Sequence, residues 1–101
     1  MSLKKQYLKT APICKVTFTF PKEGADSAST VHLVGEFNNW NESAAPMKRL
    51  KNGTFTKTIN LERNGQYQFR YLLDGLRWEN DRQADKYAPN DYGGDNSVVV
   101  V

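Results

Sequence analysis

Gln66-Tyr67-Gln68-Phe69-Arg70-Tyr71-Leu72-Leu73 is the stretch that decides the fold. Tyr67, Phe69, Tyr71 and Leu73 share one parity; Gln66, Gln68 and Arg70 share the other. Successive side chains of a strand point to opposite faces, so this alternation describes a strand with an apolar face and a polar face. Asp74-Gly75 then turns the chain into a short run, Leu76-Arg77-Trp78. Aspartate and glycine both tolerate the positive φ that tight hairpins require.

The same grammar extends in both directions. Upstream, Arg63-Asn64-Gly65 and Lys51-Asn52-Gly53 are turns, and they bracket a strand over Thr54 to Leu61 with Phe55, Ile59 and Leu61 on its apolar face. Lys57 shares that parity and is a misfit there unless it lies at an edge, where its stem can lie on apolar surface while its ammonium reaches water. Pro46 opposes a long helix in the irregular Asn41 to Leu50 segment, beneath which Met47 and Leu50 are expected to tuck. Thr30 to Phe37 is a second clear strand, in which Gly35 marks a bulge or a close approach. Ile13 to Phe20 alternates Cys14, Val16, Phe18 and Phe20 against Lys15, Thr17 and Thr19. Pro21 ends it, and Lys22 to Ser29 reads as a polar loop. Downstream, Glu79 to Asp95 reads as a long hydrophilic loop, and Ser97 to Val101 as a closing apolar strand.

No segment sustains a helical period. Short strands punctuated by Gly and Asn turns define an all-β protein, expected to be an immunoglobulin-like β-sandwich of about seven antiparallel strands. Residues 1–12 show no period and are expected to be a flexible lead-in, leaving 13–101 as the one domain.

Composition narrows the function. At 101 residues the chain is far shorter than the roughly 250 of an enzyme barrel. Its longest apolar run, Val98 to Val101, falls well below the ~20 residues of a membrane span. No charged start leads into an apolar signal core, and one cysteine cannot form an internal disulfide; both point to the cytoplasm. The +3 net charge is weaker than that of a dedicated nucleic-acid domain. Neither nucleic acid nor membrane is expected as a partner.

Candidate catalytic groups are sparse. His32 lies mid-strand between Val31 and Leu33 and reads as a satisfied structural histidine; Cys14 reads as core. One histidine and one cysteine cannot build a zinc site, and there is no phosphate-cradling glycine loop. Asp81, Asp85, Asp91 and Asp95 have no calcium-loop spacing and are attributed to loop solubility. No catalytic residue, cofactor or metal is expected.

The tryptophans stand apart. Trp40 follows the Asn38-Asn39 break and Trp78 follows a hairpin tip. Each is either a lid folded back on the core or a flat apolar tool held out to solvent. The alternating inner faces already supply a core, which favours the second. An indole face sheds water against the C–H face of a sugar, burying roughly 80–100 Å² and contributing about 2 kcal/mol per stack. Arg70, on the polar face of the strand leading to Trp78, can donate several hydrogen bonds to hydroxyls, or can be a solvated surface charge.

Three blocks now carry a resemblance. Val31-His-Leu-Val-Gly-Glu-Phe-Asn-Asn-Trp40, Gly65-Gln-Tyr-Gln-Phe-Arg-Tyr-Leu-Leu-Asp-Gly75 and Asn90-Asp-Tyr-Gly-Gly-Asp-Asn-Ser97 resemble the family 48 carbohydrate-binding module. That module is the N-terminal domain of isoamylases and glycogen-branching enzymes and the glycogen-binding domain of the AMP-activated kinase β subunit. The resemblance spans about residues 13 to 101. It implies an α-1,4-glucan ligand (glycogen, starch or a maltodextrin). It also implies stacking by Trp40 and Trp78, Arg70 in place of a sugar-binding lysine, and Asn96 bonding glucose hydroxyls. Tyr92 and Gly94 fall where the kinase module has a leucine and a threonine, so Tyr92 joins the implied sugar contacts. One extra residue separates Asp74-Gly75 from Trp78. The catalytic barrel of the related glycoside hydrolase family 13 enzymes is absent from the chain, so the domain either works alone or partners a separate glucan-metabolising enzyme. The alternative is a protein-interaction module that uses the same aromatics against an enzyme or against itself, since exposed aromatics also suit interface hot spots.

Overall fold

The computed structural model describes residues 3–25 and 28–101. The strands are β1 (Leu3–Tyr7), β2 (Ile13–Phe20), β3 (Val31–Gly35), β4 (Lys48–Arg49), β5 (Phe55–Glu62), β6 (Gln66–Leu73), β7 (Arg77–Glu79), β8 (Lys86–Pro89) and β9 (Asp95–Val100). Two antiparallel sheets form, one ordered β1-β2-β5-β4 and the other β3-β6-β9-β8, with β7 completing a hairpin on β6. The expected sandwich is therefore present, with nine strands rather than about seven.

β6 is the spine of the second sheet. One edge pairs with the whole of β3, from Val31↔Leu73 to Gly35↔Phe69. The other edge is shared between β9, along Gln66 to Phe69, and β7, along Tyr71 to Leu73. The alternation read from the sequence holds: Phe69, Tyr71 and Leu73 join Leu33, Phe18, Val16, Phe55 and Val99 in the core. Phe69 packs edge-on to both Phe18 (5.0 Å between centroids) and Tyr71 (5.7 Å), a geometry that suits the ring quadrupoles.

Four expectations change. Residues 1–12 were expected to be loose, but Leu3–Tyr7 is a strand in register with Phe18 to Cys14, with Leu3 buried; Met1 and Ser2 lie outside the described residues. The long hydrophilic segment holds β8, which pairs with β9, and a buried Asp81. Leu50 is exposed rather than tucked, while Met47 is buried as expected. The polar loop over Lys22 to Ser29 opens on one helical turn, Lys22–Ala25, whose Ala25 packs into the core; Asp26 and Ser27 lie outside the described residues. Lys57, directly across from Phe18, is half-buried on the core side.

Asp81 shows why the loop is ordered. Its carboxylate accepts the Tyr71 hydroxyl (2.8 Å) and the Gln83 backbone N–H (2.8 Å), while its own N–H donates to Ser97 Oγ (2.8 Å). The Tyr87 hydroxyl donates to its carbonyl. A buried carboxylate is tolerated where hydrogen bonds replace its water, and these do so. Burial, reinforced by the neighbouring Asp81 charge, pushes the Tyr71 phenol well above its ordinary value.

Candidate functional site

The site grows out of the end of β3. Gly35 is followed by a single 3-10 turn, Glu36–Asn38, and each residue of that turn is tied to the sandwich by a different interaction. Phe37 packs on the core beside Phe18, 5.6 Å between centroids. Glu36 Oε1 accepts the Gln68 N–H of β6 (2.6 Å). Asn38 accepts the Gly35 N–H and donates to the Leu33 carbonyl, both at 3.0 Å. The chain then leaves through two left-handed residues, Asn39 (φ 56°) and Trp40 (φ 57°), and the Trp40 N–H returns to the Gly35 carbonyl (2.8 Å).

That backbone is informative about Trp40. Asparagine visits the left-handed region readily, but a bulky aromatic there is an outlier that costs on the order of 1–2 kcal/mol. Such strain persists where the surroundings over-determine it, and it clusters at functional positions. The Trp40 side chain is 38 % exposed, lies outside the core cluster and makes no ring contact among the described residues. Of its two readings, the lid on the core is the one this placement opposes.

Trp78 is carried by the β6–β7 hairpin. Asp74 (φ 53°) and Gly75 (φ 70°) form the tip, and the Asp74 carboxylate accepts the backbone N–H groups of Ser29 and Thr30. Those bonds, Thr30 first, favour the charged carboxylate and hold its pKa below the ordinary carboxylate range. Register places Trp78 opposite Leu72, which lies opposite His32, so the three form one row on the outer face of the second sheet. Arg70 occupies the next row, opposite Val34, with its guanidinium carbon 5.9 Å from the centroid of the Trp78 ring. This is within cation–π range, at its outer limit, and places the guanidinium over the indole. Arg70 has no ion-pair partner among the described residues, and its Nε is buried without a hydrogen-bond partner.

The face is less polar than its sequence. Val34, Leu72 and Val98 lie on it and are nonetheless buried, at 0 %, 2 % and 2 % exposure. Strand parity assigns them outward, so the large side chains of that face must cover them. The site is thus a layer of aromatic and amide groups over a dry aliphatic floor.

Asn96 lies at the β9 end of this face, on β9 and opposite Ala88 of β8. Its Nδ2 donates to Gln68 Oε1 (2.9 Å) and its Oδ1 accepts from Asn90 (3.3 Å), leaving one N–H and one lone pair free. Asn90 in turn accepts the N–H groups of Tyr92 and Gly94, which shapes the turn that leaves Tyr92 94 % exposed. The structure therefore brings Arg70 and Trp78 into contact, joins Asn96 to their face through Gln68, and sets Trp40 and Tyr92 on flanking turns. Gln68 and Asn90 are not among the site residues expected from the sequence. Gln68 was legible as the same-face neighbour of Arg70, and the Asn-Asp-Tyr-Gly-Gly run as an asparagine-organised turn. His32 also departs from expectation, because its Nδ1 is buried and has no partner. Among the described residues no group of three His, Cys, Asp or Glu side chains could hold a metal ion.

The small antiparallel sandwich carries one indole on a turn, Trp40, and one on a hairpin strand, Trp78, with Arg70 over the latter. The family model for the glycogen recognition site of AMP-activated protein kinase matches residues 14–101, and the chain belongs to that family. The family is one of non-catalytic glucan recognition. No curated protein gives a significant match.

Proposed function

We propose that this domain binds α-1,4-glucan chains by stacking glucose units on Trp40 and Trp78, with Arg70 and Asn96 bonding sugar hydroxyls and Tyr92 at the rim. The observation that carries the reading is Arg70: a cation with no counter-ion among the described residues, held on the Trp78 ring with an unused donor. A guanidinium beside an apolar plane matches glucose, which offers hydroxyls around its edge and C–H groups on its faces. Two stacks with a few hydrogen bonds, less the cost of association, give roughly micromolar to millimolar affinity. The domain would serve a separate glucan-metabolising enzyme in the cytoplasm, bringing it to glycogen, starch or maltodextrin.

Affinity electrophoresis in glycogen- or amylose-containing gels tests this. Wild type is retarded and Trp40→Ala is not; an unretarded wild type sinks the proposal. A protein-docking reading has one observation in its favour, the hairpin-tip Leu76 at 86 % exposure, which no sugar platform requires. Maltoheptaose separates the two, since it quenches or shifts tryptophan fluorescence of the isolated domain only if the indoles take sugar.

A further inference from the structure

Two side-chain polar atoms among the described residues are buried without a hydrogen-bond partner, His32 Nδ1 and Arg70 Nε. They lie on the same face of the same sheet. The register Val34↔Arg70 and His32↔Leu72 makes His32 and Arg70 a diagonal pair on adjacent strands. Diagonal neighbours are roughly 7–8 Å apart at the backbone, within reach of long side chains. Arg70 Nε–H can only donate, whereas Nδ1 of an imidazole protonated at Nε2 can only accept. One hydroxyl satisfies both, accepting from the arginine and donating to the histidine.

From this complementarity we infer that His32 is a further ligand-binding residue, its Nδ1 accepting a hydrogen bond from the glucose hydroxyl that Arg70 Nε–H donates to. The inference rests on the glucan-binding reading above. Its physical motive is that a desolvated, unpaired donor or acceptor is costly, and here a donor and an acceptor stand unpaired on residues at diagonal positions of one sheet face. The flanks fit a positioning slot: His32 sits between Leu72 on one side and Pro46, bridged to it, on the other, and Leu72 leads on to Trp78. A hydroxyl held there would lie in the same strand row as Trp78.

The chain has a single histidine, so untagged protein labelled with ¹⁵N-histidine gives one imidazole spin system. On titration with maltoheptaose, the Nδ1 resonance moves with the same saturation curve as tryptophan fluorescence. His32→Phe keeps the ring's bulk and loses the acceptor, and weakens binding roughly three- to tenfold, the worth of one hydrogen bond. His32→Asn places an amide where Nδ1 was and recovers most of the loss; an Asn variant as weak as Phe overturns the acceptor role. If wild type shows a fluorescence response while the imidazole signals stay still and His32→Phe binds normally, this inference alone falls. If wild type shows neither response, the glucan reading itself falls and takes the inference with it. Should His32→Phe fail to fold, the imidazole titration of wild type decides the matter.

Discussion

Replacing Gly35 by alanine tests whether the Trp40 turn is fixed by close packing of the two strands beneath it. Gly35 is extended (φ −171°), a conformation open to any residue, so its backbone freedom is not at issue. Space is. A Cβ at Gly35 would lie 2.6 Å from the Gln68 carbonyl oxygen, 2.8 Å from Phe69 Cβ and 3.0 Å from Phe37 Cζ. Ordinary contact begins near 3.4 Å, so the Gln68 backbone would have to retreat by 3.4 − 2.6 = 0.8 Å. It is held there by the Glu36 carboxylate, and the adjoining Phe69 is fully buried, so neither neighbour can yield alone. Overpacking of this kind costs typically 1–3 kcal/mol, and a clash with backbone belongs at the upper end, about 3 kcal/mol. For a domain of this size each kcal/mol is worth roughly 4–8 °C, so the melting temperature of Gly35→Ala falls by about 12–24 °C. Thermal unfolding by circular dichroism reads this directly. At a temperature where the variant remains folded, its glucan affinity also falls, because the displaced Gly35 carbonyl anchors the Trp40 N–H. A loss below about 4 °C would refute the reasoning, since it would mean the strands separate at under 1 kcal/mol.

Three further outcomes follow from the same structure. Trp40→Ala weakens maltoheptaose binding about thirtyfold by fluorescence or calorimetry: 38 % exposure of roughly 250 Å² leaves roughly 95 Å² to cover, worth about 2 kcal/mol. Asn38→Ala removes two bonds to the end of β3 and costs about 1–2 kcal/mol in denaturant unfolding, with a parallel loss of affinity. Alkaline titration isolates Tyr71, whose phenol is raised in the folded state: its contribution is intact below the ordinary tyrosine value of about 10 and is lost as pH climbs from there toward the raised value. Stability measured by urea midpoints stays level to about pH 9 and then declines, and Tyr71→Phe, though weaker at neutral pH, declines less steeply.

What the sequence disclosed, and what it hid, follows from where each residue's partners lie. β2, β3, β5, β6 and β9 were legible because each buries one face, and burial on one face forces alternation. β1 was not, because an edge strand shielded by lysines carries its pairing in the backbone and little of it in its pattern; only Leu3 is buried. Pro89 sits on the edge strand β8, where a missing N–H is harmless, but in sequence it read as a loop. Asp81 looked like loop solubility since its partners, Tyr71 and Ser97, are 10 and 16 residues away. The outer face of the second sheet misled in the opposite sense. Gln66, Gln68 and Arg70 announce a wet surface, yet Val34, Leu72 and Val98 lie dry beneath it, because their cover comes from other strands and turns.

The two ends of the polar inventory separate architecture from site. Around Asp81 the Tyr71 hydroxyl, the Gln83 N–H and the Asp81 N–H each meet an acceptor, so that network fixes the loop. The outer face of the second sheet is arranged the other way. His32 Nδ1 and Arg70 Nε are desolvated and unmatched there, and two left-handed residues hold Trp40 at its margin. An ordinary solvated face shows neither, since its charges turn to water and its turns relax to unstrained conformations. Costs of roughly 1–3 kcal/mol for each unmatched buried group make stability an insufficient reason for that arrangement. A ligand bringing hydroxyls and an apolar face would offset them upon binding, and for that reason the unsatisfied atoms, more than the exposed aromatics, support the glucan-binding face proposed above.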